Sequence, residues 1–326
     1  MIDFTKLTGI EHGGKVVTQI EDSTGRVLWA LQSGAKAVLR VEKITATTYA
    51  GETSYADEQF LALDIYPKTN GTVKITYGGL TKIIKDTSGV EEPNAQMVYF
   101  GTFNGVSDGV ATPDSGELTI EGQFYAFGCG TYASGYKATG QTYSYCACIT
   151  NVTEWGEITA IPLNAFYDCD ALTSVVIPEG VTDIGNYAFY ECNALTSVVI
   201  PNAVKRIGNF AFHSCTGFTS VVVPEGVTHI GDRAFQYCDN AASFTFPSSL
   251  QEIGAGATFK NLNSGVPYTV KMLATVPPTY TGGDSSIVQQ NGTSKCTNIV
   301  VPKGCGDAYK TAAGWSKHEK FIVEAS

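Results

Sequence analysis

The C-terminal half of this 326-residue chain repeats its own pattern every 23 residues. Four residue types keep this step, at Pro178, Pro201, Pro224 and Pro247; Phe166, Phe189, Phe212 and Phe235; Cys169, Cys192, Cys215 and Cys238; and Ile161, Ile184, Ile207, Ile230 and Ile253. A fixed period of this length is the signature of a solenoid, in which similar coils stack on one another. Because stacked coils offer long outer faces around a packed interior, we expect the function to lie on a surface rather than in a pocket.

One short strand is predicted in each coil. Leu172, Val175 and Ile177 follow the L-x-x-L-x-L spacing, so we expect them to face inward. The alternation of a strand then turns Ser174 and Val176 outward. The same letters recur one period later, which predicts parallel pairing between neighbouring coils at a spacing of about 4.8 Å.

The rest of the coil is expected to return the chain to the core. Pro178 ends the strand, Ile184 points inward again, and Gly185 permits a turn. Phe189 and Cys192 then fill the wall opposite the sheet. We expect each phenylalanine of the period to stack on the phenylalanine of the next coil.

The pattern I-G-x-x-A-F-x-x-C-x-x-L-T-S-V-x-I-P-x-x-V-x-x-I, over residues 184–207, resembles the BspA-like leucine-rich repeat family of bacterial surface and secreted proteins. The resemblance covers roughly residues 157–260. Residues 300–315 are similar to a closing segment of that family, in which a short helix packs over the last coil. The resemblance implies adhesion or protein recognition and carries over no catalytic residue.

The N-terminal half reads as a different folding unit. The whole chain has 35 glycines and only 16% charged residues, a profile typical of β-rich, turn-rich structure. Short alternating patterns predict strands at residues 39–41, 60–66, 73–77, 96–103 and 117–127. We therefore predict a mainly β fold, with an antiparallel β-sandwich-like domain followed by a leucine-rich-repeat solenoid of 23-residue coils and a C-terminal cap.

Four segments follow from these patterns. Residues 1–33 form an N-terminal hairpin or docking segment, with a turn at 22–25. Residues 34–151 form the sandwich-like domain, 152–262 the repeats, and 263–326 a degenerate repeat with the cap. Residues 17–29 also resemble the leading segment of some phage or prophage virion proteins, which implies attachment to other virion or envelope proteins.

Charge and hydropathy exclude two classes of partner. The net charge is −10 and no basic stripe is present, whereas nucleic acids and anionic membranes require clustered lysine and arginine. No apolar run is long enough to cross a bilayer, so we expect no membrane insertion, and no signal peptide is visible at the N-terminus. The predicted location is a virion or the bacterial cell surface.

The nine cysteines predict structure rather than chemistry. The four cysteines that share one repeat position are predicted to be buried free thiols. Cys129, Cys146 and Cys148 lack the paired C-x-x-C spacing of zinc sites, and the alternatives are a disulfide from Cys129 to Cys146 or Cys148, or simple burial. We predict no metal and no cofactor.

No catalytic constellation emerges from the histidines and acids. His213 and His229 occupy different positions of their coils, and His12 and His318 lie in the flanking regions. A catalytic histidine works beside a nucleophile or a second ligand. The prediction is therefore that the protein is not an enzyme.

Outward positions that change from coil to coil are the candidate binding residues. They form three rows, Tyr167, Tyr190, His213 and Gln236; Asp168, Glu191 and Tyr237; and Arg206 and His229, to which a tyrosine-rich loop adds Tyr132, Tyr136 and Tyr143. A rigid scaffold with varied rows binds a partner at a low ordering cost. The alternative is that these rows are merely solvated edges.

These patterns together predict a recognition or adhesion protein. It presents a rigid leucine-rich-repeat surface to a host-surface protein or glycan, carried by a phage virion or a bacterial surface. The alternatives are a carbohydrate-active enzyme with a cleft at the domain junction, and a purely structural spacer.

Overall fold

The computed structural model describes backbone and side chains for residues 149–155, 158–258, 266–282 and 296–326. Before residue 149 it describes a set of strands, with side chains at residues 36, 73–77, 79–84 and 118–121. The described chain is mainly β, as the sequence predicts.

Two antiparallel sheets form the N-terminal half. In spatial order, the five-stranded sheet contains Ile149–Trp155, Ala35–Val41, Gly116–Gly122, Thr72–Tyr77 and Leu80–Lys85, and the four-stranded sheet contains Val106–Ser107, Gln96–Phe103, Phe60–Pro67 and Phe124–Gly128. The predicted strands all occur, although the pattern over residues 117–127 divides into two strands that lie in different sheets.

Three small antiparallel pairs accompany these sheets. Gln19–Glu21 pairs with Val27–Ala30 and forms the predicted hairpin. Lys15–Val17 pairs with Ile10–His12. Ser134–Tyr136 pairs with Thr142–Ser144 within the tyrosine-rich segment.

The solenoid contains two ladders of parallel strands. The first ladder consists of two separate parallel sheets. One pairs Ser174–Val176 with Ser197–Val199, and the other contains Val221–Val222, Ser243–Phe246, Tyr268–Met272, Cys296–Val301 and Ile322–Glu324. The second ladder, which the sequence did not predict as strands, runs through Ala160–Ile161, Asp183–Ile184, Arg206–Ile207, His229–Ile230, Glu252–Ile253 and Thr279–Tyr280. In the first four coils each partner lies one 23-residue period away, as Ile184 pairs with Ile207.

A column of stacked phenylalanines fills the solenoid interior. The ring centroids of Phe166 and Phe189 lie 5.2 Å apart, those of Phe189 and Phe212 5.1 Å, and those of Phe212 and Phe235 5.4 Å. The ring planes are parallel within 6° and the rings are fully buried. The predicted stacking is confirmed. The column ends at Phe235 because the buried Thr258 follows Ala257 where the earlier coils have phenylalanine.

The strand Ile149–Trp155 belongs to both halves of the chain. One edge pairs with Ala35–Val41 in the N-terminal sheet, and Thr150 on the other edge accepts a hydrogen bond from the N–H of Thr173 at 3.4 Å. Trp155 packs edge-on against Phe166, with ring centroids 5.7 Å apart. The strand therefore serves as a preceding coil for the solenoid, and the predicted boundary between residues 151 and 152 falls within it.

The cysteine column consists of buried free thiols, as predicted. Cys192, Cys215 and Cys238 each donate to a phenylalanine carbonyl of the preceding coil, at 3.0–3.2 Å between Sγ and O. Burial raises the pKa of the Cys192 and Cys215 thiols. Because the thiolate is the reactive form, these thiols act as hydrogen-bond donors within the core.

Close approach between coils explains the glycines that follow the repeated isoleucines. A Cβ on Gly208 would lie 2.6 Å from the backbone N of Asn186 in the preceding coil. The side chains at that preceding position support the same contact, because Asn186 Oδ1 accepts from the N–H of Asn209, and Asn209 Oδ1 accepts from the N–H of Asp232, both at 2.8 Å. Gly185 was expected to permit a turn. Glycine is required there because the coils approach closely, since an added Cβ would lie 2.7 Å from the backbone N of Leu163.

The C-terminal cap follows residue 302. It contains the helix Gly306–Thr311 and the 3-10 helix Ser316–Phe321. Tyr309 Oη donates to the carbonyl of Ala274 at 2.8 Å, and Trp315 Nε1 donates to the carbonyl of Pro278 at 2.7 Å. Both side chains are fully buried, so the cap is fastened to the last coil by two aromatic residues.

Replacing Gly208 by alanine should destabilise the solenoid. The added methyl group would meet the backbone of the preceding coil, and overpacking of this kind costs about 1–3 kcal/mol. Gly180→Ala is the matched control, because its Cβ would only reach ordinary contact, 3.5 Å from the carbonyl oxygen of Ile158. Urea denaturation measures both. Equal free energies of unfolding for the two variants would contradict the close approach of the coils.

Candidate recognition surface

The outer turns of the first four coils form one face of the solenoid. We call residues 162–171, 185–194, 208–217 and 231–240 the turn wall. Each turn hydrogen-bonds to the next one, as when the N–H of Phe166 donates to the carbonyl of Ala188 at 2.7 Å. The same bond recurs one period later from Phe189 to Ala211. The wall therefore repeats the same backbone in each coil, and its side chains stand in columns.

Two residues in every turn of the wall adopt the left-handed conformation. They are Asn164, Tyr187, Phe210 and Arg233 at one position, and Asp168, Glu191, Ser214 and Tyr237 at the other, with φ between 54° and 60°. Bulky residues are rare in this region, which costs roughly 1–2 kcal/mol for a residue other than glycine. The regular hydrogen bonds between coils hold this backbone in place.

Aromatic rings stack along the wall in a first column. Tyr167 and Tyr190 have centroids 4.8 Å apart, as do Tyr190 and His213, and both pairs are nearly parallel. Tyr237 then meets His213 edge to face, with centroids 5.0 Å apart. The column therefore extends across all four turns of the wall.

A second column runs beside the first. Tyr187 stacks on Phe210 with centroids 4.8 Å apart, and the Arg233 guanidinium lies 5.4 Å from the Phe210 centroid. The two columns touch, because Tyr187 lies 5.6 Å from Tyr190 and Phe210 lies 5.5 Å from His213. The six rings of Tyr167, Tyr187, Tyr190, Phe210, His213 and Tyr237 thus form one continuous surface, which we call the ring patch.

The sequence analysis missed the second column. Tyr187, Phe210 and Arg233 lie three residues after the repeated isoleucines, at a position where the letters change while their neighbours stay fixed. That variation was the available signal.

Several predicted outward residues are not open to solvent. The relative solvent-accessible areas of His213, Gln236 and Asp168 are only 7%, 6% and 8%. Stacking explains this for His213, since Tyr190 and Tyr237 cover it on either side. Tyr237 is 39% exposed, and the accessible part of the predicted rows lies mainly on the tyrosines, Glu191 and Arg206.

His213 is held as a neutral ring. Burial, opposed by a hydrogen bond to Gln236 and assisted by the nearby Arg233, lowers its pKa to about 4. The Ser214 hydroxyl lies 2.9 Å from His213 Nδ1. Across the described residues, no group of three or more histidine, cysteine, aspartate or glutamate side chains is placed to hold a metal ion.

Carboxylates line one margin of the ring patch. Burial, together with the negative charges of Asp170 and Glu191, raises the pKa of Asp168 to about 7. Burial and Glu191 also raise the pKa of the Tyr190 hydroxyl. The turn wall carries five acids, Asp168, Asp170, Glu191, Asp232 and Asp239, against the single basic residue Arg233. The wall is therefore aromatic and acidic.

The remaining predicted site residues lie apart from the ring patch or outside the described side chains. Arg206 and His229 belong to the second strand ladder, where His229 Nε2 lies 3.9 Å from Glu252 Oε2. The side chains of Tyr132, Tyr136 and Tyr143 fall outside the described residues. Cys129, Cys146 and Cys148 do so too, so their pairing stays a prediction.

Asp168→Asn tests the environment of the buried carboxyl. The pKa of Asp168 is about 7 in the folded chain and 3.8 for the ordinary group, so the folded state binds more protons between these values. The contribution of Asp168 to the free energy of unfolding therefore falls as pH rises from about 4 to 7 and stays low above that range. We expect the variant to be more stable than wild type at about pH 8, by the order of 1 kcal/mol after solvent screening, and nearly equal at about pH 4.

Variant and wild type are compared at the same pH, because protonation of His213 also lowers the free energy of unfolding as pH falls through this range. Urea denaturation supplies the values. Glu179→Gln, an exposed change in the same coil, should leave stability unchanged at both pH values. A stability gain from Asp168→Asn that is the same at both pH values would contradict a raised pKa.

Comparison with known protein families identifies the repeated segment. The model of the BspA type leucine rich repeat region matches residues 139–264 in six copies. The predicted repeats are thereby confirmed for this segment. A comparison with curated proteins found no match. The resemblance of residues 17–29 to virion proteins receives no support from these comparisons and stays a prediction.

Solved structures of leucine-rich repeat proteins match parts of the chain. A leucine rich repeat protein of T. pallidum is 28% identical over 44% of this chain and 62% of its own, with a TM-score of 0.37. A leucine rich cell surface protein of Faecalibacterium prausnitzii A2-165 is 33% identical over 30% of this chain and 26% of its own, with a TM-score of 0.29. A leucine-rich repeat protein of Bacteroides ovatus ATCC 8483 is 21% identical over 56% and 45%, with a TM-score of 0.35. Each match covers less than two thirds of the other chain, and at these TM-scores none carries a further conclusion.

Proposed function

We propose that this chain is a non-enzymatic recognition or adhesion protein and that it contacts its partner through the ring patch. The supporting observation is the pair of touching aromatic columns, whose rings are fixed by neighbours 4.8–5.6 Å away. Side chains that are already ordered cost little entropy when they bind. Tyrosine and arginine are also enriched among the residues that carry most binding energy.

The first strand ladder is a weaker candidate surface. Its outward valines, Val176, Val199 and Val222, are 62%, 56% and 68% exposed. They lie among serines and threonines, and the strand positions of the first three coils carry no charge and no aromatic ring. Such a surface lacks the anchors that binding hot spots use. We therefore assign recognition to the ring patch.

The carbohydrate-active enzyme receives no specific support. A glycosidase needs two carboxyl groups across a cleft. The open hollow beside the last coils, which is not the junction cleft of that alternative, is lined by Ser248, Ser249, Leu250, Gln251, Thr275, Val276, Pro277, Pro278 and Thr279, none of which titrates as an acid or base near neutral pH. We therefore keep catalysis out of the proposal.

The carrier belongs to the same proposal. The BspA-like resemblance favours a bacterial surface, and the virion resemblance of residues 17–29 favours a phage particle. In either case we propose that the N-terminal hairpin, Gln19–Glu21 with Val27–Ala30, contacts the carrier while the repeats face outward. In the described part of the chain, no helix has the length and apolar character to cross a bilayer.

The double variant Tyr187→Asn and Phe210→Asn tests the ring patch. Asparagine already occupies the equivalent left-handed position at Asn164, so the backbone is expected to tolerate the change. We expect binding of the labelled chain to a panel of mammalian and bacterial cells to fall by about tenfold or more, since losing a hot spot costs at least about 1.4 kcal/mol.

The control is Val199→Thr with Val222→Thr, which copies Thr245 of the next coil onto the strand ladder. It should bind within about twofold of wild type. Thermal unfolding checks that both variants fold. A folded ring-patch variant that binds as wild type does, or a wild-type chain that binds no cell, would count against the proposal.

A further inference from the structure

The inner rings of the patch stack face to face with their neighbours. Tyr190 lies between Tyr167 of the preceding coil and His213 of the next coil, with both centroids at 4.8 Å. Phe210 likewise lies between Tyr187 and Arg233. Aromatic residues that bind sugars present an open ring face to the C–H groups of the sugar. The inner rings of this patch have no open face of that kind.

Ring edges and side-chain hydroxyls are what the patch offers outward. A ring edge is the electropositive part of an aromatic side chain, and it packs well against aliphatic groups or against the face of another ring. The tyrosine hydroxyls add hydrogen-bonding groups, because Tyr167, Tyr187, Tyr190 and Tyr237 are each at least partly exposed. These contacts fit an apolar protein surface better than a sugar ring.

Charge further restricts the partner. Even without the buried Asp168, whose pKa is about 7, the turn wall carries four acids against one basic residue, within a chain of net charge −10. The exposed Asp170 and the partly exposed Glu191 lie near enough to the buried Asp168 to act on its charge. By contrast, the second strand ladder mixes signs, with Asp183, Arg206, His229 and Glu252 in one row. The ring patch thus lies on a face with a negative excess.

We infer that the partner of the ring patch is a protein surface that presents lysine or arginine side chains among apolar groups. Lysine and arginine have long apolar stems that can cover ring edges while their charged ends reach the neighbouring carboxylates. Complementary charge also speeds association and selects the partner. An acidic glycan would meet repulsion on this face, and a neutral glycan would find no open ring face on the inner rings. The inference rests on the proposed function, because it concerns the same surface.

Removing two carboxylates at the margin of the patch tests the inference. The double variant Asp170→Asn and Glu191→Gln keeps side-chain shape and changes the net charge by two. Glu179→Gln with Glu319→Gln is the charge-matched control, because both residues are exposed and lie outside the turn wall. We expect cell binding to weaken about fivefold or more for the first variant, mainly through slower association, and by less than about twofold for the control.

Treatment of the cells separates protein from glycan. Trypsin digestion should abolish binding, periodate oxidation of sugars should leave it intact, and raising NaCl from about 50 to 300 mM should weaken it several-fold. Loss of binding after periodate, or equal effects of the two charge variants, would overturn the inference. If Tyr187→Asn with Phe210→Asn still lowers binding in that case, the proposed function stands and only the partner assignment fails.

A second arm needs no cells. An immobilised peptide of about 12 residues, alternating lysine and leucine, presents the predicted chemistry, and a glutamate and leucine peptide is its control. The intact chain should bind the basic peptide, and Asp170→Asn with Glu191→Gln should weaken that binding more than Glu179→Gln with Glu319→Gln does. Equal weakening by the two variants would show attraction by overall charge alone and would contradict a defined site on the turn wall.

Discussion

Everything in the solenoid depends on the register between successive coils. Phe166, Phe189, Phe212 and Phe235 stack with centroids 5.1–5.4 Å apart. Such a column forms only if every coil places its backbone in the same way, and the glycines that follow the repeated isoleucines permit this close approach. The buried thiols assist by binding phenylalanine carbonyls of the preceding coil. One 23-residue period thus satisfies packing and hydrogen bonding together.

The same register determines what the outer surface can do. Because the backbone repeats, rings at equivalent outer positions come to lie over one another, as Tyr187 does over Phe210 at 4.8 Å. Stacking fixes the rings and lowers the entropy cost of binding. It also occupies the ring faces, which favours partners that pack against edges. The register between coils, which makes the interior rigid, thereby also favours one chemical class of partner at the surface.

The sequence predicts the interior of the solenoid more completely than its surface. The inward positions Leu172, Val175 and Ile177, the phenylalanine stack and the free thiols followed from periodicity, because burial tolerates few residue types. The second ring column was missed because Tyr187 and Phe210 adopt the left-handed conformation, which is rare for bulky residues. The burial of Asp168, which was predicted to lie on the surface, was also not predicted, because sequence spacing does not show which side chains cover one another. The shared strand Ile149–Trp155 was hidden because its repeat letters are degenerate.

A double-mutant cycle between Tyr187 and Phe210 tests the stacked surface most directly. Tyr187→Asn, Phe210→Asn and the double variant are compared with wild type by urea denaturation. Stacked rings predict that the two losses of stability are coupled by about 1 kcal/mol, the usual worth of an aromatic pair. Losses that add within about 0.3 kcal/mol would show that the rings do not interact, and the account of a surface built by coil register would fail.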